Sequence, residues 1–187
     1  MPLDASARAT LLKAARQTIE HNLTGDESAF ENYNQNPVLR QPHASFVTLK
    51  RHSVLRGCIG TLEPKRPLLE DVIHNAMAAA FEDPRFPPLT APELESLYIE
   101  ISVLSAAEPI NARDRAELLR VLKPGRDGLI VQEGKLRATF LPAVWTSLTD
   151  PGTFYEELMK KSGLGIDHWS SDLKFFRYHA ESFEQEL

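Results

Sequence analysis

The sequence is poor in several features that mark common classes of protein. It holds one cysteine among 187 residues, which excludes an intramolecular disulfide and a zinc site built from several cysteines, and fits a reducing compartment. Acidic residues outnumber basic ones by 26 to 21, so the net charge of -5 gives no electrostatic reason to expect nucleic-acid binding. The longest apolar runs are too short to cross a bilayer, and no signal-peptide pattern opens the chain. We therefore expect a cytoplasmic protein that binds neither membranes nor nucleic acids.

Familiar catalytic and cofactor motifs are also missing. The six histidines include no His-x-x-x-His pair, so no metal site is predicted. The chain lacks the lysine and hydroxyl residue of a phosphate-binding loop, the Gly-x-Ser-x-Gly elbow, and the cysteine triad of an iron–sulfur cluster. The sequence accordingly predicts no cofactor.

The patterns that are present predict a folded α+β protein. Hydrophobic residues make up 42% and charged residues 25%, as in ordinary globular proteins, and the length suits one domain of one or two lobes. Apolar residues at helical spacing predict helices over 5–23, 67–82 and 112–122, with shorter ones after Pro142 and before Gly163. Alternation predicts strands over 46–50, 55–60, 98–104, 128–131, 136–140 and 173–183. Because helices and hairpins interleave, we expect a mainly antiparallel sheet flanked by helices.

Two connections differ from the rest in composition. The stretch from Gly25 to Pro42 is rich in asparagine and proline, and such a long connection inside a compact domain is often functional or mobile. The proline-containing stretch around Glu108 and Pro109 is the segment most like a linker. We expect any boundary between lobes to fall there.

The segment Leu55–Gly60 has the most unusual composition, with the only cysteine, an arginine and two glycines. The strand period divides its residues between two faces, with Leu55, Gly57 and Ile59 on one and Arg56, Cys58 and Gly60 on the other. Glycines inside a strand mark a bulge or a close approach of another backbone or a ligand. A kinked core strand with a buried structural thiol fits the same pattern. Both interpretations stay open.

Further polar residues complete a candidate site around this segment. Asp83 and Arg85 follow the second predicted helix in a stiff, proline-bound loop, and Glu100 and Ser102 share one face of a predicted strand. Cys58 is the candidate catalytic residue. The candidate binding residues are Arg56, Gly57, Gly60, Glu63, Asp83, Arg85, Glu100, Ser102 and His43.

Two functions from different classes follow from this set of residues. Arginines beside a thiol favour the nucleophilic thiolate and bind carboxylate or phosphate, which suits an enzyme acting on a small anionic substrate with Cys58 as nucleophile. Alternatively, Arg56 and Arg85 pair with Asp83 and Glu100 in a structural ionic network, and the protein is a non-catalytic binding or adaptor module. The residues alone leave both hypotheses open.

Blocks of sequence along the chain resemble the AMMECR family, whose prokaryotic members are called AmmeMemoRadiSam system protein A. The segment Leu55–Gly60 resembles the family signature. Further matching blocks lie at 67–68, 83–86, 101–105, 127–130, 140–142 and 161–164 and at Trp169, so the resemblance runs from about 46 to 183. Ser162 is a mild departure from it, since alanine is usual in the family.

The resemblance carries expectations about architecture and partners. It implies a single AMMECR-like domain over 1–187 with a two-lobed α+β architecture, a larger N-terminal lobe and a smaller C-terminal one. It also implies association with a Memo-like protein and a radical SAM protein, whereas the family's own biochemical activity is not established. The expected function is therefore that of an accessory or binding protein that works with these partners through a polar cleft around Leu55–Gly60, with the Cys58 enzyme as alternative.

Overall fold

The computed structural model describes residues 3–25 and 36–185, and the elements named below belong to that part of the chain. The helices are α1 (Ala5–Thr24), α2 (Leu68–Phe81), α3 (Arg115–Val121) and α4 (Pro151–Ser162). The strands are β1 (Ser45–Arg51), β2 (Val54–Gly60), β3 (Leu97–Leu104), β4 (Glu108–Ile110), β5 (Gly128–Glu133), β6 (Leu136–Phe140), β7 (Lys174–Tyr178) and β8 (Ala180–Glu184). Short 3-10 helices cover Pro37–Arg40, Ala91–Ser96 and Pro142–Thr146. The predicted α+β class is confirmed.

The chain forms two compact units, each with its own sheet. One unit comprises Met1–Leu104 and Glu181–Leu187, and the other comprises Ser105–Ala180. The strand order is β2-β1-β3-β8 in the first sheet and β4-β7-β5-β6 in the second. The pairings β1–β2, β1–β3, β4–β7, β5–β6 and β5–β7 are all antiparallel. The candidate site residues all belong to the first unit.

The core of the first unit lies between α1, α2 and one face of the sheet. Helix α1 begins at Asp4, whose carboxylate accepts a hydrogen bond from the Ala7 amide at 2.7 Å, and ends at Gly25 in the left-handed conformation. Alternate residues of β3, including Ile99, Ile101 and Val103, are buried in this core. The opposite face of the sheet therefore carries the residues between them, as expected for alternating side chains.

Helix α2 packs against β1 and β2 at very short range. A Cβ atom at Gly57 would overlap the main-chain carbonyl oxygen of Ala79 in the last turn of the helix. Ala78–Ala80 lie on this part of α2 and are buried, so small side chains let the backbone of the helix reach the strand. A Cβ atom at Gly60 would overlap the ring of Phe46. Both glycines thus occupy places where another group approaches closely.

A buried polar cluster joins the first turn of α2 to β1. Asp71 has no exposed surface and accepts hydrogen bonds from the Ser45 amide at 3.0 Å and the Ser45 hydroxyl at 2.7 Å. The Thr61 hydroxyl donates to it at 2.9 Å and the Asn75 amide group at 3.0 Å. Four donors therefore depend on one buried carboxyl group. The sequence analysis did not identify this cluster.

The hairpin of β1 and β2 contains an irregularity that changes which way Leu55 faces. Leu49 pairs with Gly57, but the next residue, Lys50, pairs with Leu55, which leaves Arg56 as an extra residue. Because partners across a strand pair share a face, Leu55 lies on the face of Lys50 and not on that of Gly57. The predicted grouping of Leu55 with Gly57 is therefore wrong, since the extra residue shifts the alternation.

The end of the chain departs from the prediction as well. The single strand expected over 173–183 is two strands, β7 and β8, separated by His179. β7 belongs to the second sheet and β8 to the first. The alternation of apolar and polar residues does not indicate which sheet a strand joins, so this change of sheet was not predicted. Glu108–Ile110, expected to be a linker, forms β4 at the edge of the second sheet, where the missing amide of Pro109 is tolerated.

The second unit has a separate core formed by α3, α4 and its sheet. The rings of Trp145 and Phe154 stack there with centroids 3.7 Å apart. Helix α4 starts after Asp150, which accepts from the Thr153 amide, and ends at Gly163 in the left-handed conformation. Most of the loop predicted between Gly25 and Pro42, namely residues 26–35, lies outside the described residues.

Candidate functional site

The backbone of Cys58 is bound on its outer side by two side chains. β2 is the edge strand of its sheet, and the Cys58 amide donates a hydrogen bond to Oδ2 of Asp83 at 2.9 Å. Nη2 of Arg85 donates to the Cys58 carbonyl oxygen at 3.1 Å. Arg85 also binds Asp83 through both of its carboxylate oxygens, at 2.9 and 2.7 Å. Asp83, Arg85 and Cys58 therefore form one hydrogen-bonded group.

Asp83 is held as an anion in this group. Its carboxylate is 4% exposed. The hydrogen bonds from Arg85, followed by those from the amides of Cys58 and Arg85, keep the pKa of Asp83 far below its ordinary value, although burial opposes the shift. The carboxylate is thus available as an acceptor at any physiological pH.

The thiol of Cys58 points to the face of the sheet that lies away from the core. It is half-buried, and the Thr48 hydroxyl donates a hydrogen bond to Sγ at 3.3 Å. Thr48 lies opposite Cys58 on one side and Glu100 on the other, so the three residues form a row across β2, β1 and β3. Glu100 binds Nζ of Lys50 at 2.6 Å. The thiol therefore has a hydroxyl as its hydrogen-bond partner.

Arg56 is bound to a carboxylate that the sequence analysis did not include. Nε and Nη2 of Arg56 donate to the two carboxylate oxygens of Glu93 at 2.8 and 3.2 Å. Arg51 donates to the same carboxylate at 3.0 Å. Thr90 and Glu93 form a capping box at the start of the 3-10 helix Ala91–Ser96. The Thr-x-x-Glu spacing, which is typical of a capping box, was the sequence signal that could have drawn attention to Glu93.

The aromatic ring of Phe86 lies beside both arginines. The guanidinium carbon of Arg56 is 6.0 Å from the ring centroid and that of Arg85 is 5.5 Å away. Phe86 thus connects the Arg56–Glu93 pair to the Asp83–Arg85 pair. The ionic network foreseen as an alternative exists in this form, with Glu93 in the place expected for Glu100.

The remaining predicted residues have other surroundings. Ser102 is buried and its hydroxyl lies 2.8 Å from that of Ser182. Nδ1 of His43 is 3.3 Å from the carbonyl oxygen of Gln41, and Glu63 forms an ion pair with Lys65 at 2.8 Å. The structure thus brings Cys58, Asp83 and Arg85 together, with Arg56 next to them.

Two apolar side chains stand exposed beside this group. Val54 is 68% exposed and Leu55 is 40% exposed at the start of β2. They follow a tight turn in which His52 and Ser53 both have positive φ angles, of 48° and 66°. We call Val54, Leu55, Arg56, Cys58 and Arg85 together the β2 surface.

Two adjoining cavities lie elsewhere in the first unit. One of about 840 Å³ is lined by one side of α1 and by the ends of β3 and β8, and one of about 590 Å³ by the β1–β2 turn and β3. Both are lined by Glu95, Leu97, Tyr98 and Glu184. Neither cavity includes a residue of the predicted site.

Residues 3–25 and 36–185 form neither a cluster of metal-ligating side chains nor a membrane-spanning helix. They contain no group of three or more His, Cys, Asp or Glu side chains arranged to hold a metal ion. None of the helices in this part of the chain has the length and apolar character that a bilayer crossing requires.

Glu93 gives a pH-dependent contribution to stability that can be measured. Hydrogen bonds from Arg56, then from the amide and hydroxyl of Thr90, lower the pKa of Glu93 from 4.5 to about 2. A carboxylate with a lowered pKa in the folded state stabilises the protein above its unfolded pKa of about 4.3, and this contribution is lost as the pH falls through the folded value. We expect Glu93→Gln to lower the free energy of unfolding at pH 7 and to differ progressively less from wild type between about pH 4 and 2.

Urea unfolding at a series of pH values checks this expectation. Glu70→Gln is the matched control, because Glu70 is exposed on α2 and its replacement should leave the wild-type pH profile unchanged. A loss of stability in Glu93→Gln that is the same at every pH would contradict the role assigned to the Glu93 carboxylate.

The fold and the arrangement of motifs define a class of α+β protein with two antiparallel sheets, and comparison with known proteins identifies the family. The AMMECR1 family model matches residues 12–183. The chain belongs to the AMMECR1 family. The resemblance noted in the sequence is therefore confirmed.

Archaeal relatives match the chain over almost its whole length. A protein of Thermofilum pendens is 40% identical over 197 residues, which span 97% of this chain and 91% of the relative. A protein of Methanothermobacter thermautotrophicus is 36% identical over 187 residues, which span 99% of this chain and 97% of the relative. The crystal structure of the uncharacterized protein PH0010 from Pyrococcus horikoshii is similar with a TM-score of 0.84 and 39% identity, covering 94% of this chain and 90% of that one. These descriptions give no biochemical activity.

Proposed function

We propose that this protein is a non-catalytic accessory protein that binds a Memo-like protein and a radical SAM protein in the cytoplasm through the β2 surface. The single observation that carries the proposal is the exposure of two consecutive apolar residues, Val54 and Leu55, at the start of an edge strand. Exposed apolar side chains bordered by polar groups are typical of protein–protein contact sites. Arg56 and Arg85 supply the polar border here.

The charges around Cys58 favour binding over nucleophilic catalysis. The two arginines expected to activate the thiol are each bound to a carboxylate, Arg56 to Glu93 and Arg85 to Asp83. A guanidinium whose charge is balanced by its own carboxylate contributes little to stabilising a nearby thiolate. Cys58 is therefore assigned a place on the binding surface and no covalent role.

The choice of partners rests on the family. A Memo-like protein and a radical SAM protein are the partners that the family resemblance implies, and the chain belongs to that family. An iron–sulfur cluster needs several thiolates, and this chain has one cysteine. Radical chemistry in the assembly would accordingly belong to the partner, and this chain would hold or orient it.

Co-purification of the tagged chain with each partner under reducing, anaerobic conditions tests the proposal. We expect Leu55→Asp to weaken partner binding by about tenfold or more, because a charge replaces an apolar contact at the interface. Leu136→Asp is the matched control, since Leu136 also lies on a strand and is 44% exposed against 40% for Leu55. Cys58→Ser should bind partners like wild type.

Two results would count against the proposal. The first is that the wild-type chain retains neither partner, and the second is that Leu55→Asp and Leu136→Asp reduce binding equally. Thermal unfolding of both variants establishes that they are folded, so that a loss of binding can be assigned to the surface.

A further inference from the structure

At Cys58, the outer edge of β2 is covered by two side chains and not by a neighbouring strand. β1 occupies one side of β2, and no strand of the described chain occupies the other. On that outer side the amide and the carbonyl of Cys58 are both satisfied, by Asp83 and Arg85 respectively. An open edge strand presents unpaired main-chain groups to other molecules, and proteins commonly protect such edges.

The geometry of this closure matches that of strand pairing. In an antiparallel strand pair, hydrogen-bonded and non-hydrogen-bonded positions alternate. At a hydrogen-bonded position, the amide of a residue donates to the carbonyl of the residue opposite, and its carbonyl accepts from the amide of that same residue. Asp83 supplies the acceptor and Arg85 the donor at 2.9 and 3.1 Å, so the two side chains stand where one residue of an added strand would stand. Their mutual ion pair and the Arg85 amide bond to Asp83 at 3.1 Å hold both in position.

We propose that the Asp83–Arg85 pair is an edge cap that prevents β2 from pairing with β2 of a second copy of this chain. The inference is independent of the partners proposed above, because it concerns self-association alone. The function of this edge cap is to keep the edge of β2 closed while the side chains of the β2 surface remain accessible.

The sequence of β2 identifies a second copy as the molecule that the cap excludes. Antiparallel pairing of two copies about Cys58 places Gly57 opposite Ile59 and Arg56 opposite Gly60. No two arginines face each other, and Arg56 and Ile59 each lie opposite a glycine, so charge and bulk do not oppose the pairing next to Cys58. The exposed Val54 and Leu55 would add apolar contacts beside it.

The test compares the self-association of cap variants with that of wild type. Arg85→Ala and the double variant Asp83→Asn/Arg85→Ala are examined by sedimentation over a range of concentrations under reducing conditions. In the variants, the amide and carbonyl of Cys58 in one copy can form two hydrogen bonds with those of a second copy. These two bonds predict roughly tenfold stronger self-association than in wild type. Arg113→Ala, which removes one arginine from an exposed ion pair on another part of the chain, is the control for net charge and should behave as wild type.

Disulfide trapping locates the contact. Paired residues of the hydrogen-bonded type have Cα atoms about 5.5 Å apart, which lies within the usual disulfide range of about 4.4–6.8 Å. Diamide oxidises two thiols to a disulfide and takes up their two hydrogens. It should therefore cross-link two copies of the cap variants through Cys58, and Cys58→Ser in the same background should dimerise in sedimentation without cross-linking.

The proposal is overturned if the folded variants sediment like wild type, or if they associate without cross-linking at Cys58. Should the double variant fail to fold, Arg85→Ala decides the matter alone, because the Arg85 side chain is 53% exposed and its removal frees the Cys58 carbonyl and breaks the ion pair that holds Asp83 against the Cys58 amide. Arg85→Lys keeps the positive charge and one donor, so it should restore part of the wild-type behaviour.

Discussion

Replacement of Gly57 by alanine is expected to lower the free energy of unfolding by about 3 kcal/mol. The added methyl group would overlap the carbonyl oxygen of Ala79, which belongs to the main chain of α2. A helix backbone cannot rotate out of the way as a side chain can, so α2 and β2 must separate. Urea unfolding measures the change in stability. The same separation moves Cys58 away from Asp83, so we also expect faster hydrogen exchange at the Cys58 amide.

Two other glycines provide controls for this prediction. At Gly60 the added methyl group would meet the ring of Phe46, and the double variant Gly60→Ala/Phe46→Ala should recover stability relative to Gly60→Ala. At Gly165 the nearest atom is the Cβ of His168 at 3.9 Å, so Gly165→Ala should be tolerated. If Gly57→Ala proves as stable as Gly165→Ala, the close contact between α2 and β2 is contradicted.

Replacement of Asp71 by alanine is expected to cost about 4 kcal/mol. The carboxyl group is fully buried and accepts from the Ser45 amide and hydroxyl, the Thr61 hydroxyl and the Asn75 amide group. Its removal leaves the Ser45 amide and the Ser45 and Thr61 hydroxyls without this acceptor, whereas the Asn75 amide group keeps its bonds to the Ser45 carbonyl and hydroxyl oxygens. Each unsatisfied buried group costs about 1–3 kcal/mol. Some of this cost is recovered by water entering the space. Thermal and urea unfolding measure the loss.

Asp4→Ala is the matched control for the Asp71 variant. Asp4 is exposed and its carboxylate accepts one hydrogen bond, from the Ala7 amide, so its loss should cost about 1 kcal/mol. Asp71→Asn keeps the volume but turns one acceptor oxygen into a donor, and it should lie between the other two variants. Equal stability of Asp71→Ala and Asp4→Ala would show that the buried cluster contributes little.

The site was partly predictable because some of its residues are close in sequence and held by local rules. Asp83 and Arg85 lie two residues apart in a proline-bound loop, and both belonged to the ionic network considered as an alternative; the structure pairs them. The partner of Arg56 did not follow. Glu93 lies far along the chain from Arg56, and nothing in either local pattern records that the fold places them 2.8 Å apart. Glu100, which the predicted network included, instead binds Lys50 on the neighbouring strand.

The sequence by itself determined the α+β class, most of the helices and strands, and the family. These features depend on periodicity, caps and turn residues, which act over a few residues. Only the tertiary structure decided the division into two sheets, the split of the last strand into β7 and β8, the side on which Leu55 lies and the contacts of Cys58 with Asp83 and Arg85. Strand partners, bulges and edge contacts depend on residues distant in the chain, and the energies that select them arise only when those residues meet.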